Sequence, residues 1–186
     1  MKGSLAMSLS DLLYNFTEWL RGTWLTEFAL SISDTSLSFW IVTNFWSIPI
    51  FQTIHILSIA AAFSATFMFS LRIFGIAGGS RTIAQNSRRY LPWAWWGLLF
   101  LAISGILMII GEPVRELINP WFWIKMVAIV VLIVLSIWFQ TRTIRSAAAA
   151  PSPWVASSAV KGGAIALLIL WCFVIYCGRF IAYAPV

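Results

Sequence analysis

Four apolar runs, at residues 49–74, 91–111, 121–141 and 162–183, constrain this chain more than any other feature. A hydrocarbon core about 30 Å thick is crossed by roughly 20 apolar residues in a helix. In lipid, backbone N–H and C=O groups find no water, so each run must close its own helical ladder. The expected fold is therefore all-α, an integral membrane four-helix bundle. Composition supports the same reading, since 61% hydrophobic and 10% charged residues fall outside the range of soluble proteins.

Residues 1–48 read as an extracytoplasmic, interfacial amphipathic segment preceding the bundle at 49–186. Over 8–30, Ser8 and Asp11 make a capping pattern and Leu13, Phe16, Leu20, Trp24 and Phe28 recur at 3.5-residue spacing. Asn15, Glu18, Arg21 and Gly22 fall on the other side. Four charges over this stretch favour a helix lying in the headgroup plane. Asp34 or Ser36 is expected to cap a second short piece, with Trp40 and Trp46 at the interface. If residues 36–75 formed one helix it would be roughly 60 Å long, so a break is expected near Pro49. The N-terminus has one lysine and no short apolar core with a cleavage site, so no removable signal peptide is evident.

The loop after the first span carries Arg81, Arg88 and Arg89 and no acid, and Arg72 closes that span. Arg142, Arg145 and Lys161 belong to the same side. The other side collects Glu18, Glu27, Asp34, Glu112 and Glu116, with Arg21, Arg115, Lys125 and Arg179 near it. Basic residues mark the cytoplasmic side, so both termini are expected outside the cytoplasm of a bacterial inner membrane. Pro92, Trp93, Trp95 and Trp96 form an aromatic belt at the entry to the second span. Its Ala94, Gly97, Leu101, Ser104, Gly105 and Met108 make a small-residue face suited to close packing. The net charge of +6 reads as membrane anchoring, and nucleic acid is not an expected partner. Cys172 and Cys177 sit about 140° apart around a helix, which disfavours a disulfide between them.

The first span holds His55, the chain's one histidine. Gln52, His55, Ser58, Ala62 and Thr66 recur at helical spacing, while Phe63 and Phe67 point elsewhere. An ionisable group within a span is a functional candidate by default. One reading is a neutral imidazole hydrogen-bonded to a neighbouring helix. The other is a metal-ligating imidazole, an axial ligand of haem b, with small residues leaving room for a flat ring; copper and a quinone headgroup are further candidates. A second axial ligand would come from Met108, from Met126, or from His55 of a second copy. Lys125 and Arg179, at similar depth near Tyr176 and Tyr183, are placed to meet an anionic group or to snorkel. Lys125 also has Glu112 and Glu116 as candidate partners. Hydrolase, zinc-protease, phosphate-loop, dinucleotide and EF-hand motifs are all absent.

The segments SIPIFQTIHILSIA, SLRIFG, YLPWAWWGLLFLAISGILM and NPWFWIK resemble an uncharacterised family of small bacterial inner-membrane proteins, a domain of unknown function. The resemblance spans roughly residues 10–140. It matches the family's histidine to His55, its acid-Leu-Arg step to Ser70, Leu71 and Arg72, and its lysine to Lys125. Ser70 stands where an aspartate is common, so a salt bridge of that family is not available here. A looser likeness is to copper-resistance membrane proteins and b-type cytochrome subunits, which carry more histidines. The expected function is a membrane subunit binding a cofactor or small ligand near the outer face through His55. Haem b would serve electron transfer between a quinone pool and an extracytoplasmic redox partner. The alternatives are a non-catalytic accessory or scaffold subunit of a larger membrane complex, and a small transporter. Small-residue faces on the first two spans also favour a homo-oligomer.

Overall fold

The computed structural model describes residues 9–150 and 154–183, and among these it is all helical. The elements are α1 (Leu9–Arg21), α2 (Trp24–Ser33), α3 (Ser36–Thr43), α4 (Ser47–Phe74), α5 (Ile83–Gly111), α6 (Pro113–Leu117), α7 (Pro120–Ala149) and α8 (Ser158–Phe180). The four long helices are each apolar enough to cross a membrane. Only 17% to 33% of the most apolar window of each is buried, so most of their side chains face outward, where lipid satisfies them. Trp93, Trp96, Ile103 and Ile106 on α5 and Val127, Val130 and Val134 on α7 are among those exposed.

The spans form a ring in which α4 packs along α5 and α8, while α7 packs along α8 and more lightly on α5. Its core runs through Ala62, Phe69, Ile73, Leu132, Phe139, Leu167, Trp171 and Val174. Phe63 does not point away from this core, because its ring meets Trp171 edge-on at 6.1 Å. Trp171 also donates its indole N–H to Thr66 Oγ1 at 3.2 Å, tying α8 to α4. One end of the ring carries Arg72, Arg81, Arg88, Arg89, Arg142, Arg145 and Lys161; we call it the basic end. The opposite, acidic end is covered by α1–α3 and α6.

Element ends depart from the sequence reading where caps outrank hydropathy. The 8–30 segment is two helices, because Gly22 interrupts it and Thr23 caps α2; Ser8 lies outside the described residues. Leu20 is buried, but after the break Ala29 takes the inward position and Trp24 and Phe28 are exposed. Thr35, rather than Asp34 or Ser36, caps α3. The chain turns at residues 44–46, so Pro49 sits in the first turn of α4, where its missing N–H costs nothing. The second span's helix starts eight residues before 91, at a Thr82–Gln85 capping box, and continues through Pro92. Helices α7 and α8 likewise extend past the apolar runs at the basic end, where water can solvate their polar turns.

The acidic end is held by close approaches. A Cβ on Gly111 would lie 2.9 Å from Ile48 Cδ1 and 3.0 Å from Ile41 Cγ2, so α3 and α4 press onto the end of α5. Ala29 packs with Leu117, Phe122 and Ile181. Asn119 is fully buried; its Oδ1 accepts from Trp121 N to start α7, and its Nδ2 donates to Ile181 O at 3.0 Å.

Candidate functional site

The position of His55 follows from the α4–α5 seam. A Cβ added at Gly97 would come within 3.0 Å of both Ala62 N and Ser58 O, so the two backbones touch there. Seven residues, or two turns, toward the acidic end on each antiparallel helix lead from Ala62 to His55 and from Gly97 to Ser104. The two side chains meet, with His55 Nδ1 at 2.9 Å from Ser104 Oγ. The ring also lies over Gly105, whose added Cβ would be 3.5 Å from His55 Cε1.

This geometry selects a tautomer. A serine hydroxyl has one hydrogen, and Ser104 directs it at Phe100 O, 2.6 Å away. The lone pairs of Ser104 Oγ therefore face the ring, and His55 Nδ1 carries the proton and donates. In the neutral ring, Nε2 is then left with its lone pair and no hydrogen-bond partner among the described residues. Orienting one ring nitrogen by a hydrogen bond so that the other can act is how histidine ligands and bases are prepared.

Lys125, on α7, is the charged group that acts on this histidine. Its stem lies over Gly178, where an added Cβ would be 3.5 Å from Nζ and 3.6 Å from Cε; a larger residue at 178 would displace the stem. The ammonium is within electrostatic reach of His55, Glu116 and Cys177. Among the described residues it forms no ion pair; the two bridges there join Arg115 to Glu112 and Arg21 to Glu18. Glu116, on α6 above the spans, has its pKa raised by burial. Lys125 and Arg115 oppose that rise, and Glu112 adds to it.

The residues singled out in the sequence divide accordingly. His55 and Lys125 converge, with Ser58 and Ala62 buried in the seam below them. Ser58 donates to Ile54 O in its own helix, so it lines the packing and does not reach the imidazole. Gln52 is exposed and leaves the cluster. Met108 is half-buried one turn beyond Ser104, and Met126 is exposed. Arg179 is turned outward, donating to Tyr183 OH and covering its ring at 4.9 Å. Among the described residues no three His, Cys, Asp or Glu side chains gather around a metal position. Cys177 is buried and Cys172 exposed, both as free thiols. Ser104 and Cys177 enter the cluster without having been assigned to it, whereas Glu116 was expected as a partner of Lys125; the matched seven-residue steps 55–62 and 97–104 were the available signal for Ser104.

One cleft opens between α4, α5 and α7 beside Thr66, Ser87, Tyr90 and Gln140, and another lies on the surface of α5 at Arg88, Pro92, Trp95 and Trp96. His55 lines neither. Comparison with protein-family models, with curated proteins and with solved structures found no match, so function rests on the site itself.

Proposed function

We propose that this chain is an integral membrane subunit that holds a small ligand at the acidic end of its bundle, between His55 Nε2 and Lys125 Nζ. The carrying observation is the Ser104 hydroxyl, which is committed to Phe100 O and so leaves the imidazole proton on Nδ1. A ligand for this pair offers its own acceptor for the lone pair, a metal centre or a hydroxyl proton, and a negative or carbonyl oxygen for the ammonium.

Two ligand classes meet that description. The donor set suits haem b: His55 Nε2 would hold the iron and Lys125 would neutralise an acidic edge, and such a group would supply one-electron redox chemistry. The packing suits it less, because Gly97 and Gly105 close the seam around His55 and neither cleft reaches the ring. A quinol requires no ring-sized gap: its hydroxyl would donate to Nε2 and its second oxygen would accept from Lys125. Quinol binding is therefore the reading favoured here, with haem b held between copies as the second. The acidic end is assigned to the outer face of a bacterial inner membrane, on the strength of seven basic residues at the other end.

Absorption spectra and quinol titration of the purified chain separate these. A Soret band with full iron supply that is lost in His55→Ala supports haem. Saturable binding of a short-chain quinol, followed by tryptophan fluorescence under reducing conditions and weakened in both His55→Ala and Lys125→Met, supports the quinol reading. Neither signal in a folded protein would overturn the ligand-binding proposal.

A further inference from the structure

We infer that the groove formed on the basic half of α5 by Arg88, Pro92, Trp95 and Trp96 is a site for one anionic phospholipid. Positions 88, 92, 95 and 96 fall on one helical face, and the groove they line opens outward. Arg88 is exposed and makes no ion pair among the described residues, where both bridges lie at the acidic end. No Asp or Glu occurs from residue 35 to 111 or after 116. The chain thus has no carboxylate for this guanidinium, and its counter-charge must come from outside.

Three further groups fit a headgroup and its ester linkage. Pro92 has no N–H, so the Arg88 carbonyl lacks its ordinary helical donor and is open to a hydroxyl. The indole N–H groups that bond within the described structure belong to Trp123 and Trp171. Those of Trp95 and Trp96 remain for ester carbonyls, at the depth where indoles settle. Below them Leu99 and Phe100 are exposed and continue the apolar surface along an acyl chain. The sign of the headgroup follows from Arg89, which is also exposed and next in sequence. Two guanidiniums repel the cation of a zwitterionic lipid and favour a phosphodiester carrying a neutral, hydroxyl-bearing headgroup. This site is independent of His55 and lies at the opposite end of the bundle.

The test is lipid retention by the delipidated full-length chain, measured by native mass spectrometry with phosphatidylglycerol and phosphatidylcholine of identical acyl chains. One phosphatidylglycerol is expected to outlast all phosphatidylcholine. Arg88→Gln should reduce its retention about fivefold, as expected for one basic side chain at an anionic surface. Arg145→Gln, which removes a charge from the same end outside the groove, should leave retention unchanged. Equal retention of the two lipids, no loss in Arg88→Gln, or an equal loss in Arg145→Gln would each overturn the proposal; the last would mean that the summed charge of the end binds lipid without a groove.

Discussion

His55 Nδ1 and Ser104 Oγ are hydrogen-bonded at 2.9 Å, joining helices α4 and α5 across 49 residues of sequence. The bond gives the ring one orientation, and the ring carries the chain's only imidazole lone pair. Removing the acceptor frees the ring and leaves a donor short of a partner. Ser104→Ala is expected to destabilise the protein by about 1–2 kcal/mol. Ser58→Ala, which loses a bond only to its own helix at Ile54 O, should cost much less. Denaturant unfolding in detergent, followed by circular dichroism, measures both.

The α4–α5 seam rests on a backbone contact that tolerates no side chain at residue 97. Gly97→Val is expected to cost about 1–3 kcal/mol by overpacking, because the obstructing atoms at 3.0 Å include the Ala62 and Ser58 backbone. Gly162→Ala should act oppositely, since nothing lies within 4 Å of the added methyl. There the gain in helix propensity of up to about 1 kcal/mol is unopposed. A paired thermal melt distinguishes the two, and a neutral Gly97→Val would contradict the seam.

Asn119 connects the start of α7 to the end of α8. Asn119→Leu removes both bonds and leaves Ile181 O buried without its donor, at a cost of about 1–3 kcal/mol. Hydrogen exchange should quicken at the amides of Ile181 and Tyr183, which close the last turn. Unchanged protection there would show that α8 is held by other contacts.

Glu116 makes stability depend on pH. Its folded-state pKa is raised above the ordinary glutamate value, chiefly by burial, so the folded chain binds the proton more tightly than the unfolded chain. Its contribution is therefore fully present below the unfolded pKa and is lost as pH rises through the folded one. Lys125 and Arg115 limit the size of the effect. The wild-type melting temperature is expected to fall across that window. Glu116→Gln should flatten the fall, whereas a fall of equal depth in the variant would assign it to other groups.

The spans were legible in the sequence because twenty apolar residues in a row admit few alternatives. Their ends were not, because the side-chain caps Thr82, Asn119 and Ser157 start the helices, and hydropathy is silent about caps. Pro92 looked like an entry point, yet α5 passes through it, since a span already flanked by polar turns tolerates one missing N–H. His55 and Lys125 stood out as ionisable groups in apolar runs. Gln52, three residues from His55, shares its side of the helix only approximately, and that offset takes it to the surface. Arg179 was placed at the right depth, but depth does not fix azimuth, and Tyr183 draws it outward.

The tautomer of His55 is the most direct measure of the site. With one histidine per chain, nitrogen-15 labelling gives a single pair of ring resonances in the detergent-solubilised protein. At neutral pH, without added ligand, Nδ1 should appear as a protonated, pyrrole-type nitrogen and Nε2 as a bare, pyridine-type nitrogen, with Ser104→Ala shifting both toward a tautomer average. A proton on Nε2 in the wild type, or resonances indifferent to Ser104→Ala, would contradict a lone pair held ready for a ligand.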